Sequence, residues 1–119
     1  MLLFIYGNID EMKLFKNDNC SFYVGCSARE NWDLLEMAEP EDVWIHLADC
    51  SSSYVIIVCK EDITSTDVLY GCNLCKQHSI KRECPVSKTR VQYTEVKNVK
   101  KGRRIGEAIL STTPFVISV

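Results

Sequence analysis

Residues 42–48 read Asp-Val-Trp-Ile-His-Leu-Ala, and residues 54–59 read Tyr-Val-Ile-Ile-Val-Cys. In the first stretch Val43, Ile45 and Leu47 fall on one face of an extended chain, with Trp44, His46 and Ala48 on the other. Both faces of this strand therefore carry side chains that matter. The second stretch is apolar on both faces, which suits a strand inside a sheet better than one at its edge. Ser51-Ser52-Ser53 lies between them as a polar turn. A sheet whose central strands need cover thus stands at the middle of the fold.

Toward the N-terminus, Ser21–Gly25 is a short strand of aromatic and β-branched residues running into Ser27-Ala28-Arg29-Glu30. Serine followed three residues later by glutamate is a capping box, in which hydroxyl and carboxylate satisfy the N–H groups that a helix start leaves open. The helix is expected over Arg29–Met37, with Leu34, Leu35 and Ala38 buried and Pro40 ending it. Met1–Tyr6 reads as a further strand closed by a Gly7-Asn8 turn. On the C-terminal side, Thr64–Gln77 places Val68, Leu69, Cys72 and Cys75 at helical spacing behind Thr64 or Ser65 as cap. Gly71 weakens that helix by roughly 1 kcal/mol relative to Ala unless it permits close packing. Arg90–Val96 alternates as a strand, Lys97–Arg104 is a basic loop, and Ile105–Ser111 and Phe115–Val119 are strands joined by Thr112-Thr113-Pro114. The expectation is a single α+β domain over residues 1–119. It has about six or seven strands in a mainly antiparallel or mixed sheet, with two helices on one side.

The 119 residues are 46% hydrophobic and 25% charged, proportions that exclude disorder, collagen and coiled coil for the whole. The longest apolar runs, Met1–Tyr6 and Tyr54–Cys59, reach six residues, far short of the roughly 20 a spanning helix needs. The start MLLFIYGNID lacks a basic leader region and meets acidic residues early, so a cytosolic or nuclear protein is expected, with no membrane contact. In such a compartment the seven cysteines, an odd number, read as reduced, mostly buried small hydrophobes. Charge is unevenly placed. Residues 1–87 hold seven Lys/Arg against fourteen Asp/Glu, whereas residues 88–104 hold seven against Glu95 alone.

Catalytic and metal readings are weak. Cys72-x-x-Cys75-x-x-His78 with Cys84 contains four zinc-type ligands, but a tetrahedral site needs a turn or knuckle. Here the first two lie within a helix on its apolar stripe, so no metal or other cofactor is expected. A redox role for the CxxC would need a helix N-terminus. Glu36, Glu39, Glu41 and Asp42 read as a solvated acidic face. The segment Lys97-Asn98-Val99-Lys100-Lys101-Gly102-Arg103-Arg104 is more telling, with five cations in eight residues around a glycine that lets a partner approach. Phosphate backbones attract such clusters, although a solubilising loop or a nuclear localisation signal has the same look.

Several motifs in order resemble the NFACT-R domain of the fibronectin-binding-protein/Caliban type of ribosome quality-control factor. They are Tyr23-Val24-Gly25; Ala28-Arg29-Glu30-Asn31-x-Asp33-Leu34; Pro40-Glu41-Asp42-Val43-Trp44-Ile45-His46; Val91-x-Tyr93-Thr94-x-Val96-Lys97-x-Val99-Lys100-Lys101; and Gly106–Ile109 with Phe115–Val119. Ser51-Ser52-Ser53 and Val68-Leu69-x-x-Cys72-x-Leu74 look most like the small eukaryotic stand-alone, coiled-coil-domain-containing members. Two positions depart: Cys26 stands where the family usually has a basic residue, and Tyr54 where it has a histidine. The sequence also stops at Val119 without the charged helical tail of the stand-alone members, so the tail's binding is not expected here.

The resemblance implies a non-catalytic module that binds RNA, either tRNA or ribosome-associated rRNA, in translation or ribosome quality control; DNA is compatible too. The residues agree with this. Lys97, Lys100, Lys101, Arg103 and Arg104 would meet phosphate, and Arg29 and Asn31 would meet it at the capped helix start. Trp44, His46 and Tyr54, if exposed, would stack on bases. An indole in an apolar strand is more often core, and His46 can equally be a hydrogen-bonded structural histidine. The rival enzyme reading is a small nucleic-acid hydrolase using His46 with Asp33 or Asp42 to activate water. A third reading is an adaptor for ribosome-associated proteins acting through the acidic surface.

Overall fold

The computed structural model describes residues 12–79 and 88–119. The strand and turn read at residues 1–8, and Cys84, lie outside them. Among the described residues, eight strands and two α-helices follow one another: β1 (Lys13–Lys16), β2 (Cys20–Val24), α1 (Ala28–Met37), β3 (Val43–Leu47), β4 (Val55–Cys59), α2 (Ser65–Ser79), β5 (Arg90–Glu95), β6 (Val99–Lys101), β7 (Ala108–Leu110) and β8 (Phe115–Ser118). Six strands form one antiparallel sheet in the order β1-β2-β4-β3-β5-β8, and β6 pairs with β7 as a separate ribbon. The fold is α+β.

The two-faced pattern of β3 and β4 dictates the layers. Val43, Ile45, Leu47, Val55 and Ile57 join Phe22, Val24, Cys72, Leu74, Cys75 and Val91 in one buried cluster beneath α2. Trp44, Tyr54 and Ile56 join Leu34, Leu35, Val96 and Val99 in a second, beneath α1 and the β6–β7 ribbon. The helices therefore cover opposite faces of the sheet, and the expectation that both lie on one side is corrected. A strand with indole on one face and aliphatic residues on the other must bury both, and one helix covers only one.

Local chemistry sets both helix starts. Ser27 Oγ accepts from Glu30 N–H at 3.1 Å while Glu30 Oε1 takes Cys26 N–H at 2.9 Å. Thr64 Oγ1 accepts from Asp67 N–H at 3.1 Å, and Asp67 Oδ2 takes Thr64 N–H at 3.0 Å. Gly71 is the residue that lets α2 settle on the sheet. A β-carbon there would fall 2.7 Å from Ile45 Cδ1 and 2.8 Å from Ile57 Cδ1. Leu69, read as part of the stripe, is instead 43% exposed.

Two sequence expectations need correction. The segment read as a basic loop is mostly ordered: Val96–Asn98 forms a 3-10 turn and Val99–Lys101 is β6. The cysteines are not all thiols. Cys20 and Cys59 are register partners across β2–β4, with Cα atoms 4.2 Å apart, and their sulfurs are joined. Cys50 is also disulfide-bonded; Cys26, Cys72 and Cys75 are thiols. Strand register brings Cys20 and Cys59 face to face, and neighbouring residues give no sign of it.

The disulfide closes 39 residues of chain, so Cys59→Ser is expected to cost about 4 kcal/mol through freer unfolded chain. Urea denaturation of wild type and variant, with and without reductant, checks this: the difference should shrink when reductant is present.

Candidate nucleic-acid interface

A cavity of about 540 Å³ opens between the start of α1, the end of β3, the Ser51–Ser53 turn and the loop that leads into β7. Trp44, His46, Gln92 and Arg104 are among its walls. Trp44 and His46, two apart on β3, share a face, and their rings lie parallel within 4° at 5.5 Å between centroids. Tyr54, the residue before β4, meets both edge-on, at 5.5 Å from Trp44 and 5.6 Å from His46. His46 Nδ1 is 2.7 Å from the Leu47 carbonyl. A carbonyl only accepts, so that nitrogen carries the proton.

None of the three aromatics expected to be exposed is so: His46 is half-buried. Trp44 and Tyr54 are 1% and 0% exposed, because α1 and the ribbon cover that face. Trp44 is a core residue that also forms a cavity wall, and its Nε1–H has no acceptor among the described residues. Tyr54 donates its hydroxyl proton to the Gly106 carbonyl at 2.6 Å. Burial, and secondarily the carboxylate of Glu107, push this phenol up to about 12.

That bond belongs to a strap. The loop between β6 and β7 is held by Tyr54, by Trp32 Nε1–H donating to Glu107 O at 3.0 Å, and by Gly102 N–H donating to the same carbonyl at 2.8 Å. Gly106 has φ +89°, and a β-carbon there would sit 2.7 Å from Ala28 Cβ. Only glycine suits that backbone and that approach. The glycine that matters here is Gly106, which places Arg104 on the cavity rim; Gly102, singled out in the sequence, closes the hairpin.

The cations are dispersed. Lys97 pairs with Glu95 at 3.4 Å. Lys101 pairs with Glu36 and lies over the Trp32 ring, 5.2 Å from its centroid, and its ammonium holds the Glu36 carboxyl below the usual range. Lys100, Arg103 and Arg104 are exposed and form no ion pair among the described residues. The capped helix start is largely self-satisfied. Glu30 already takes the Cys26 N–H, Arg29 reaches Asp33 at 3.8 Å, and Asn31 is buried. Asn31 Oδ1 accepts from Tyr54 N–H at 3.0 Å and its Nδ2 donates to Ser52 O at 3.3 Å. Asn31 therefore anchors the cavity wall. Where the family resemblance leads one to expect a basic residue, Cys26 lies with Lys13 Nζ at 3.3 Å, an ammonium supplied from β1.

The structure thus brings Asn31, Trp44, His46 and Arg104 to one cavity with Tyr54 behind them, and leaves Arg29, Lys97, Lys100, Lys101 and Arg103 outside its walls. Sequence reasoning missed Gln92, Gly106 and Trp32. Gln92 reaches the site only through its register with His46. The acids of the hydrolase reading face their own neighbours: Asp33 faces Arg29, and Asp42 Oδ2 accepts from Glu39 N–H at 2.8 Å. Cys72 and Cys75 lie in the core, their thiols raised to about 12 by burial. The metal-type ligands that do converge among the described residues are Cys20, Cys59 and Asp67, two of which share a disulfide.

Residues 10–117 match the model of the NFACT protein RNA binding domain. The chain belongs to this NFACT-R family. It is 34% identical over 94 residues to the coiled-coil domain-containing protein 25 homolog of Dictyostelium discoideum, a match covering 73% of this chain and 45% of that protein. It is 36% identical over 87 residues to coiled-coil domain-containing protein 25 of Mus musculus, covering 68% and 41%. The chain thus spans less than half the length of these relatives. The C-terminal part of the fibronectin/fibrinogen-binding protein from Streptococcus suis superposes with a TM-score of 0.77 over 97% of this NFACT-R chain, at 21% identity, and shares its fold.

Tyr54→Phe removes the hydroxyl that holds the strap, and should cost about 1 kcal/mol at neutral pH. A phenol raised to about 12 from its ordinary 10.0 favours the folded protein below pH 10, and that contribution fades as pH climbs toward 12. Denaturation of both proteins from pH 7 to 12 should show the gap narrowing above pH 10, then reversing.

Proposed function

We propose that this NFACT-R domain binds RNA without catalysis, through Lys100, Arg103 and Arg104 with the adjoining cavity, and that its ligand is tRNA or ribosome-associated RNA. The observation that carries the reading is the strap. Tyr54, Trp32 and the approach of Gly106 to Ala28 hold the Arg104 segment beside a polar cavity with an aromatic floor. The family's description as an RNA-binding domain supports the ligand class. Arg104 supplies a guanidinium that suits phosphate oxygens, and the half-buried His46 offers a ring to an unpaired base.

A role in translation or ribosome quality control, and a place in the cytosol or nucleus, belong to this proposal. A reducing compartment would hold Cys20 and Cys59 as thiols, at the cost in stability given above. No helix among the described residues is long and apolar enough to cross a membrane.

With Lys97 and Lys101 engaged by acids, about three cations face phosphate, and the log–log salt slope for single-stranded RNA should lie near −2. Replacing Lys100, Arg103 and Arg104 with Gln should flatten it and weaken all sequences alike, with the fold intact. Glu36→Gln with Glu95→Gln should steepen it by releasing two lysines. Fluorescence anisotropy across a salt series reads all three. RNA cleavage that depends on Mg²⁺, or binding unaffected by the triple substitution, would turn the assignment toward a hydrolase or an adaptor.

A further inference from the structure

Among the described residues the six-stranded sheet has two outer strands, β1 and β8, and they differ in character. β1 carries Lys13 and Lys16, and lysine on an outer strand discourages a further strand from pairing with it. β8, Phe-Val-Ile-Ser, carries no charge. Its side chains are open on both faces of the sheet: Phe115, opposite Tyr93, is 66% exposed and Val116, opposite Gln92, is 46% exposed. The backbone is open as well. Thr89 N–H donates to Val119 O at 3.0 Å and Val119 N–H donates to Thr89 O at 2.9 Å. In an antiparallel ladder such bonded pairs alternate with pairs whose N–H and C=O groups point away from each other. Gln92 with Val116 and Arg90 with Ser118 are pairs of the second kind. The backbone groups of Val116 and Ser118 therefore point outward, to the free edge.

We propose that β8 pairs antiparallel with β8 of a second copy of this chain across a two-fold axis at Ile117. The occupant is a copy because the strand complements itself. The outward groups sit two residues apart, so the axis sets Val116 against the partner's Ser118 and Ser118 against the partner's Val116. Each open N–H then meets an open C=O. Ile117 faces the partner's Ile117, and Phe115 comes opposite the partner's Val119, so apolar meets apolar. No side chain from 115 to 119 is charged, and self-pairing sets no like charges against each other. Each copy offers one such edge, so the contact closes at two. With about five residues a side, against roughly 20–30 in a standard interface, the association is weak and reversible. The axis stands perpendicular to the sheet, so both copies turn the same face the same way. Gln92, the neighbour of Val116, is a cavity wall, and the two cavities then share one side of a continuous sheet. His46 lies five strand spacings from the partner's His46, about 24 Å across the sheet. One polyanion can span that distance, but the pairing itself does not depend on the RNA-binding reading.

Sedimentation velocity without RNA, over a series from micromolar to millimolar protein, reads the mass of wild type and three variants. Ser118→Pro removes an outward N–H that β5 does not use, so the sheet keeps its own bonds while the edge loses a donor. Val116→Lys puts an ammonium on an exposed site beside the partner strand. Ser118→Ala keeps the backbone donor and is the control. The expected result is a monomer–dimer equilibrium for wild type and for Ser118→Ala. Ser118→Pro should raise the dissociation constant about ten-fold or more, since both copies lose a donor, and Val116→Lys should raise it too. Melting curves establish which variants retain the fold, and Val116→Lys carries the test if Ser118→Pro does not. A monomeric mass for wild type throughout the series overturns the proposal and leaves the edge to a segment of another protein. A dimer that folded Ser118→Pro and Val116→Lys leave intact overturns it as well, because the contact then lies on another surface.

Discussion

The structure depends on the burial of both faces of the central strands β3 and β4. Ile45 and Ile57 need cover on one side and Trp44, Tyr54 and Ile56 on the other, and fully burying each such side chain is worth about 1.5–3 kcal/mol. One face takes α2, which comes close because Gly71 has no side chain. The other takes α1 together with the β6–β7 ribbon, since the ten residues of α1 offer chiefly Leu34 and Leu35 to that cluster. Burying Tyr54 brings its hydroxyl along, and a buried hydroxyl needs a partner. The Gly106 carbonyl supplies it, which fixes the strap and sets Arg104 on the cavity rim.

The electrostatics follow from the same closure. An acidic body and a basic segment would attract one another in any compact arrangement. Here the attraction is realised as exposed pairs of Lys97 with Glu95 and Lys101 with Glu36. Such pairs add little stability, typically about 0–1 kcal/mol. Their larger effect is on function, because each acid at close range offsets a lysine that would otherwise meet phosphate. Among the described residues, Lys100, Arg103 and Arg104 stand without an ion pair in or beside the strap, so the shape of that loop, as well as the basic composition of the segment, bears on where a polyanion is attracted.

The cavity also shows why the site aromatics have different duties. Trp44 and Tyr54 are as buried as any core residue, while His46 is half-buried. Trp44 stiffens the floor and Tyr54 fastens the wall. His46 retains a ring at the cavity, its orientation set by the Leu47 carbonyl on one nitrogen and the indole beneath it. Asn31 plays a comparable supporting part, joining α1 to the turn before β4 through both ends of its amide.

The sequence by itself determined the parts that rest on local chemistry. The Ser27/Glu30 capping box placed α1, the Thr64 cap placed α2, and the alternation of Val43–Leu47 and Arg90–Glu95 placed strands, because caps and periodicity are properties of neighbouring residues. The order of family motifs identified the NFACT-R domain in the same way. What only the tertiary structure decided depends on residues far apart in the chain. The pairing of Cys20 with Cys59 needed the register of β2 against β4. The opposite placement of the helices needed the sheet order. The silencing of Lys101 needed Glu36 from α1, and the importance of Gly106 over Gly102 needed Ala28 and Tyr54 to meet the loop. A sequence lists which side chains are present; which of them face one another is settled when the two sides of the sheet are closed.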